Sequence, residues 1–281
     1  MWNKIIEGDA CIELGSLPSD SAQAIIADPP YYNVLKEDWD AQWAEAEEYL
    51  EWSQVWVSEC MRILRDDGLF FCFGQLGKRE HVFIHLMSRL CLLFQYHDLI
   101  IWNRVVGYNE RRDSFTPAYE MILVLRKSNN AKFNKDAVRE PYDPNTIESY
   151  LRDKRYKNKE ARLKHLLAGK YSTNILNVPS LKGSSKEKRG HPSQKPLELI
   201  SKLILCSTDP GDLVLDPFLG SATTAVAAQK LGRKWIGIES NPFYIKISEK
   251  RLAEFKTMFD ENEADQASQS KTNHPLQKKS K

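Results

Sequence analysis

Two short stretches hold the residue types that could do chemistry, and they begin 188 residues apart. The first is Asp28-Pro29-Pro30-Tyr31, directly after the apolar run Ala24-Ile25-Ile26-Ala27. That run reads as a short buried strand. It ends on a carboxylate, two residues that cannot donate to a sheet ladder, and an aromatic ring. A carboxylate and the rigidly held carbonyl of Pro29 are both acceptors, so together they can take both hydrogens of an amino group. Tyr31 can stack on a flat ring that carries the amine. The tetrapeptide thus has the makings of a cradle for the exocyclic amine of a nucleobase. Taken alone, it is equally a strand followed by a proline-rich turn.

The second stretch is Asp216-Pro217-Phe218-Leu219-Gly220-Ser221-Ala222-Thr223-Thr224, after the apolar Leu213-Val214-Leu215. A strand, a small-residue turn, a helix from Thr223 to Leu231, a strand from Lys234 to Ile238 and a terminal Glu239 make a βαβ nucleoside-binding unit. Gly220 and Ser221 let backbone come close to a ligand, and Glu239 is placed to grip two ribose hydroxyls. The G-x-G-x-x-G fingerprint is absent, which disfavours a pyrophosphate-bearing cofactor. A nucleoside without phosphates fits better. S-adenosyl-L-methionine is one, and its amino-acid end needs polar partners near Asp216, Ser221 and Lys195.

The elements that must position these stretches alternate strand with helix. A short strand covers 3–8 and a helix and turn 11–23. Glu45 to Leu64 has helical spacing, Leu69 to Phe73 is a buried strand, and Arg79 to Leu93 is a helix. Strands follow at Asp98–Trp102 and Tyr119–Leu125. His191-Pro192-Ser193-Gln194-Lys195-Pro196 introduces a helix at Leu197–Cys206, and Pro242 to Phe255 forms the last one. Trp52 and Trp56, four apart on the first long helix, read as core packing. Asp9, just past the first strand, is either a helix N-cap or a ligand contact.

Charge is unevenly spread. Between residues 126 and 189 there are 17 Lys and Arg against 7 Asp and Glu, in a chain whose net charge is only +2. Tyr142, Tyr150, Tyr156 and Tyr171 are interleaved among these basic residues, a mixture that suits nucleic acid. Residues 128–190 therefore read as a small inserted domain, helical over Glu148–Leu167, within a main domain at 1–127 and 191–257. Candidate phosphate contacts there are Lys154, Arg155, Lys186, Lys188 and Arg189. Arg104, Arg111 and Arg112 join them from the long loop Asn103–Pro117. Beyond residue 258 the composition is that of a disordered tail.

Composition excludes several classes. No run approaches the roughly 20 apolar residues of a membrane span, and the N-terminus lacks signal-peptide form. The five cysteines are scattered without a C-x-x-C pair, which argues for reduced thiols in a cytoplasmic protein. His81 and His85 stand four apart with no third ligand, so no metal site is read.

Asp-Pro-Pro-Tyr, then a basic region, then His-Pro-x-Gln-Lys-Pro, then Asp-Pro-Phe-x-Gly-Ser-x-Thr-Thr resembles the beta-group amino-methyltransferases of DNA. The matching segments are residues 3–127 and 191–255. The resemblance implies a Rossmann-like α/β fold, a mostly parallel sheet with helices on both faces, in which the catalytic motif precedes the cofactor motif. It implies S-adenosyl-L-methionine as cofactor and the N6 amine of a flipped adenine in double-stranded DNA as target. Asp28, Pro29, Pro30 and Tyr31 would then be catalytic. Asp9, Ser193, Gln194, Lys195, Asp216, Pro217, Phe218, Gly220, Ser221, Thr223, Glu239, Ser240 and Asn241 would line the cofactor site. A prokaryotic or phage protein is implied, with a homodimer and a cognate restriction endonuclease as further partners. One departure is Ala222, where the family has Gly: tolerable in helical backbone, costly at positive φ. N4 methylation of cytosine, a silent DNA-binding regulator on the same fold, and methyl transfer to protein or RNA are the other readings. Intact Asp28, Tyr31, Gly220 and Glu239 weigh against the second.

Overall fold

Eight strands form one sheet in a computed structural model that describes residues 2–32, 40, 42–76, 81–107, 110 and 112–255. In chain order the elements are β1 (Lys4–Glu7), α1 (Ala10–Glu13), β2 (Ala22–Ala27), α2 (Ala46–Ile63), β3 (Leu64–Gly74), α3 (Val82–Leu93), β4 (Gln95–Asn103) and β5 (Tyr119–Arg126). They continue with α4 (Pro144–Arg152), α5 (Lys159–Leu167), β6 (Ile175–Asn177), α6 (Leu197–Ser207), β7 (Leu213–Asp216), α7 (Thr223–Lys230), β8 (Lys234–Glu239) and α8, which occupies 242–255. The sheet order is β1-β8-β7-β2-β3-β5-β4-β6.

Only β5 runs against the other seven strands. β2 lies at the centre, and all six of its residues are buried. Its side chains alternate between two cores, as the period of a strand requires. Ile25 and Ala27 join Trp56, Val57, Phe70 and Leu86 on the face covered by α2 and α3. Ala24 and Ile26 join Phe71, Phe73, Leu203 and Ala227 on the face covered by α6 and α7.

β2 pairs in parallel with β7 on one side and β3 on the other. β1, β8 and β7 connect on one side of β2 and β3 on the other, so the strand order reverses around it. Ligands bind at such a switch point, outside the carboxyl ends of the strands. Asp28 and Asp216 emerge there together.

The basic segment is tied into the sheet more closely than its composition indicates. Ile175–Asn177 pair with Ile101–Asn103 as the edge strand β6, and the Asn134 amide reaches the Cys206 carbonyl at 2.6 Å. Two apolar residues are too short a run to read as a strand. The helix expected at 148–167 is two helices, broken at 153–158; α4 buries nothing and α5 only Leu166. Arg111, most of the loop after Tyr32 and the tail at 258–281 lie outside the described residues. Among the described residues no helix is long and apolar enough to cross a membrane.

Candidate active site

A cleft of about 530 Å3 opens at the switch point, lined by both chemical motifs and by the loop before α6. β2 brings Asp28 and Pro30 to its wall; β7 and the following turn bring Asp216 to Ser221; β8 brings Glu239. Asp9, Ser193, Gln194, Lys195, Thr223, Ser240 and Asn241 line it as well. Every residue assigned above to the cofactor thus faces one space.

The turn after β7 is built by backbone contacts. The Phe218 amide donates to Asp216 Oδ1 at 2.9 Å, and the Gly220 amide to Glu239 Oε2 at 2.8 Å. Glu239 Oε1 accepts from the Asn241 amide at 2.8 Å, so the carboxylate is fixed at both oxygens. Gly220 has a positive φ of 52°, and a Cβ there would come 3.1 Å from His191 Nε2. Arg251, buried on α8, donates to the Ser221 carbonyl at 2.9 Å and to Thr223 Oγ1 at 2.8 Å. Ser248 Oγ donates to the Gly220 carbonyl at 2.6 Å. Nothing in the sequence pattern singled out these braces.

Ala222 has φ 60° and ψ 31°, in the left-handed region. The costly case for alanine at this position is the one that the structure adopts.

Asp9 does both things considered for it. Its Oδ1 caps α1 by accepting from the Cys11 amide at 2.7 Å, and it lines the cleft. Trp52 also faces the cleft, its ring 5.8 Å from that of Phe218. Trp56 alone of that pair is the pure core residue expected of both.

In Asp28-Pro29-Pro30-Tyr31 the ring is not laid open as a stacking surface. Tyr31 is 5% exposed, so its ring has no open face for a base. Its hydroxyl donates to Asp28 Oδ1 at 2.6 Å. The Pro30 carbonyl already accepts from the Tyr49 hydroxyl at 3.0 Å, and Pro29 is buried. Asp28 is the polar group of this motif that reaches the cleft.

Lys195 lines the cleft and also lies against that carboxylate, its Nζ 2.7 Å from Asp28 Oδ2 and 3.2 Å from the Tyr31 hydroxyl. Burial works against its charge, but Asp28 and Glu120 together outweigh this and hold its pKa above the ordinary lysine value. Gln194 clamps its own loop, accepting from the Arg189 amide and donating to the Glu187 carbonyl, each at 2.8 Å. Burial, then Lys195, pushes His191 down to about 4, and burial pushes Asp216 up to about 7. Burial also raises Glu239.

The proposed phosphate contacts divide. Arg112 and Lys154 are exposed. Arg155 is exposed but held to Asp153, at 2.7 Å. Arg189 pairs with Glu254 at 3.1 Å, and Lys186 and Lys188 flank it. Arg104 is turned inward, 3.3 Å from Glu120, with 14% of its side chain exposed. An arginine at a strand end reads as a surface cation when its acidic partner lies across the sheet.

The DNA methylase family model matches residues 22–250. The chain belongs to the DNA methylase family. Methyl transfer to DNA with S-adenosylmethionine as donor is that family's chemistry. The chain is similar to the DNA adenine methyltransferase YhdJ of Escherichia coli (strain K12), 34% identical over 88% of this chain and 82% of that protein. It is also similar to the type II methyltransferase M1.MboII of Moraxella bovis, 31% identical over 86% and 94% of the two chains. Among solved structures, the complex of M1.HpyAVI with SAM matches with TM-score 0.58 and 26% identity, over 89% of this chain and 98% of that one. The cytosine-N4-specific PvuII DNA methyltransferase shares the fold, with TM-score 0.66 and 20% identity over 88% and 84%.

Proposed function

We propose that this protein transfers a methyl group from S-adenosyl-L-methionine to the N6 amine of an adenine flipped out of double-stranded DNA. The observation that carries this is the placing of Asp28 on the wall of one cleft with Asp216, Gly220 and Glu239. The adenine target is supported by the similarity to YhdJ and by Asp at position 28, where Asp accompanies adenine and Ser cytosine in the amine-directed members that the motifs resemble.

The residues of the cleft fit the cofactor. Asp9, Asp28, Asp216 and Glu239 give it four carboxylates, and its one lysine is committed to Asp28. Carboxyl groups outnumber cations on this wall, and burial raises Asp216 and Glu239, so it offers phosphates little and favours a positively charged nucleoside, beside which those groups give up their protons. Glu239 is held to receive ribose hydroxyls, and Trp52 and Phe218 present ring surface for a base. Bound there, the cofactor supplies an electrophilic sulfonium methyl.

The chain's own residues do the rest. A base stacked in a duplex cannot enter the cleft; extruding it costs a few kcal/mol, repaid by contacts in the pocket. Asp28 accepts an N–H of the amine, which favours a pyramidal nitrogen whose lone pair is free to attack. Each carboxylate oxygen has two acceptor positions, so Asp28 can take the amine beside its present partners. To stack on the base, the Tyr31 ring must leave its buried position, and its hydroxyl then gives up Asp28. Catalysis is positioning and electrostatics, with no covalent bond to the enzyme.

Exposed Arg112 and Lys154 supply phosphate contacts to DNA. A cytoplasmic location, a homodimer and a restriction endonuclease of the same specificity belong to this proposal. Incubation with methyl-labelled cofactor and DNA, RNA or protein tests the polymer: label should enter DNA alone. Label in RNA or protein but not DNA refutes the reading.

A further inference from the structure

Glu120 belongs to neither motif, yet it is 5% exposed and faces the catalytic acid's partners. It stands at the start of β5, the one reversed strand, which brings it to the same sheet edge as Asp28. Its Oε2 lies 3.3 Å from the Tyr31 hydroxyl and 3.4 Å from Lys195 Nζ. Its Oε1 accepts from Arg104 Nη1 at 3.3 Å. Tyr31 and Lys195 are the two groups seen to donate to the Asp28 carboxylate. Glu120 therefore touches both side chains that hold Asp28, while it does not itself line the cleft.

We propose that Glu120 is a positioning residue for methyl transfer: it anchors Lys195 beside Asp28, so that the acceptor carboxylate stays aimed when Tyr31 gives way to the base. This rests on the reading of Asp28 as acceptor of the target amine.

Three features support the role. Two acidic and two basic side chains, half-buried Asp28 and Arg104 with buried Glu120 and Lys195, form a cluster with formal charges in balance, which pairs the two buried ions. An ammonium has three donors, enough to serve Asp28, Glu120 and one further acceptor at once. Once the Tyr31 hydroxyl leaves, Lys195 is the remaining donor to Asp28, and Glu120 is what keeps it in place. A glutamine there would keep the shape and lose the charge.

The titratable groups that face Lys195 are Asp28 and Tyr31 after β2, Glu120 on β5 and His191 before α6, with Arg104 after β4 bound to Glu120 and Cys72 on β3 acting on Tyr31. Glu120→Gln changes one of them. Removing that negative charge lets burial act more fully on Lys195, so its titration moves to lower pH.

The test uses the full chain labelled with 13C at lysine Cε, with kcat for DNA methylation and cofactor affinity measured in parallel. Glu120→Gln should shift the Lys195 titration down, lower kcat by about tenfold to 100-fold, and leave cofactor affinity unchanged. Glu120→Asp keeps the charge but withdraws it by one methylene; it should fall between the two, and serves if Glu120→Gln does not fold. An unmoved Lys195 titration in both variants overturns the proposal, whatever happens to kcat. So does a moved titration with wild-type kcat in both. Should the wild-type protein methylate no adenine, the reading of the reaction fails, and the Lys195 titration still decides whether Glu120 sets the charge of Lys195.

Discussion

Ile25 pairs in parallel register with Leu215, so β2 and β7 release their chemical residues into one cleft although the chain separates them widely. On this pairing depends the role of Asp28, which leaves the sheet beside the cofactor turn. Asp28→Ala should abolish methyl transfer while cofactor affinity, read by calorimetry, stays close to wild type. Lys195 keeps a carboxylate neighbour in Glu120, 3.4 Å away, so the variant is expected to fold. Retained methylation would remove Asp28 from the mechanism.

Ala222 gives a stability prediction of opposite sign. Its left-handed backbone is costly for any residue with a Cβ, by about 1 kcal/mol. Glycine adopts it freely, though at some cost in unfolded-chain entropy. Ala222→Gly should therefore stabilise the protein by several tenths to about 1 kcal/mol in urea unfolding. A loss of stability would mean that the buried methyl group contributes more by packing than the strain removes.

Burial gives Asp216 and His191 opposing pH dependences. Asp216 is raised from 3.8 to about 7, so the folded state holds its proton more tightly. The stability this contributes is complete below pH 3.8 and is lost as pH rises towards 7. His191 is lowered from 6.5 to about 4, so its contribution is complete above pH 6.5 and is lost as pH falls towards 4. In the wild type the two slopes largely cancel. Asp216→Asn should then lose stability relative to wild type at pH 5 and regain it by pH 8. A difference in unfolding free energy that stays flat over that range would show that Asp216 is not held protonated.

The basic surface is testable by salt. Arg112 and Lys154 are exposed, whereas Arg104 is committed to Glu120. Arg112→Ala and Lys154→Ala should each weaken binding to any DNA sequence and reduce the slope of log K against log salt by about 1. A slope that neither substitution alters would place the duplex elsewhere.

Much of this site was legible in the sequence because its parts are local. Asp28 and Asp216 each follow a buried run of apolar residues, and Gly220 sits where strand gives way to helix. Such signals need only neighbours along the chain. Glu120 was not legible, since its importance comes from an antiparallel register that sets Met121 opposite Gly74 and so brings β5 to the cleft edge. The inward turn of Arg104 follows from the same contact. Tyr31 reads as an exposed stacking ring because its pocket is assembled from β3, β5 and the loop before α6. Ala222 could be posed only as a condition on φ, which the backbone alone could answer.

The most direct measurement is nucleoside mass spectrometry of DNA incubated with the purified protein and S-adenosyl-L-methionine. N6-methyladenine should accumulate with the wild-type chain and be absent with Asp28→Ala. N4-methylcytosine in its place, or N6-methyladenine at undiminished yield from Asp28→Ala, would contradict the account.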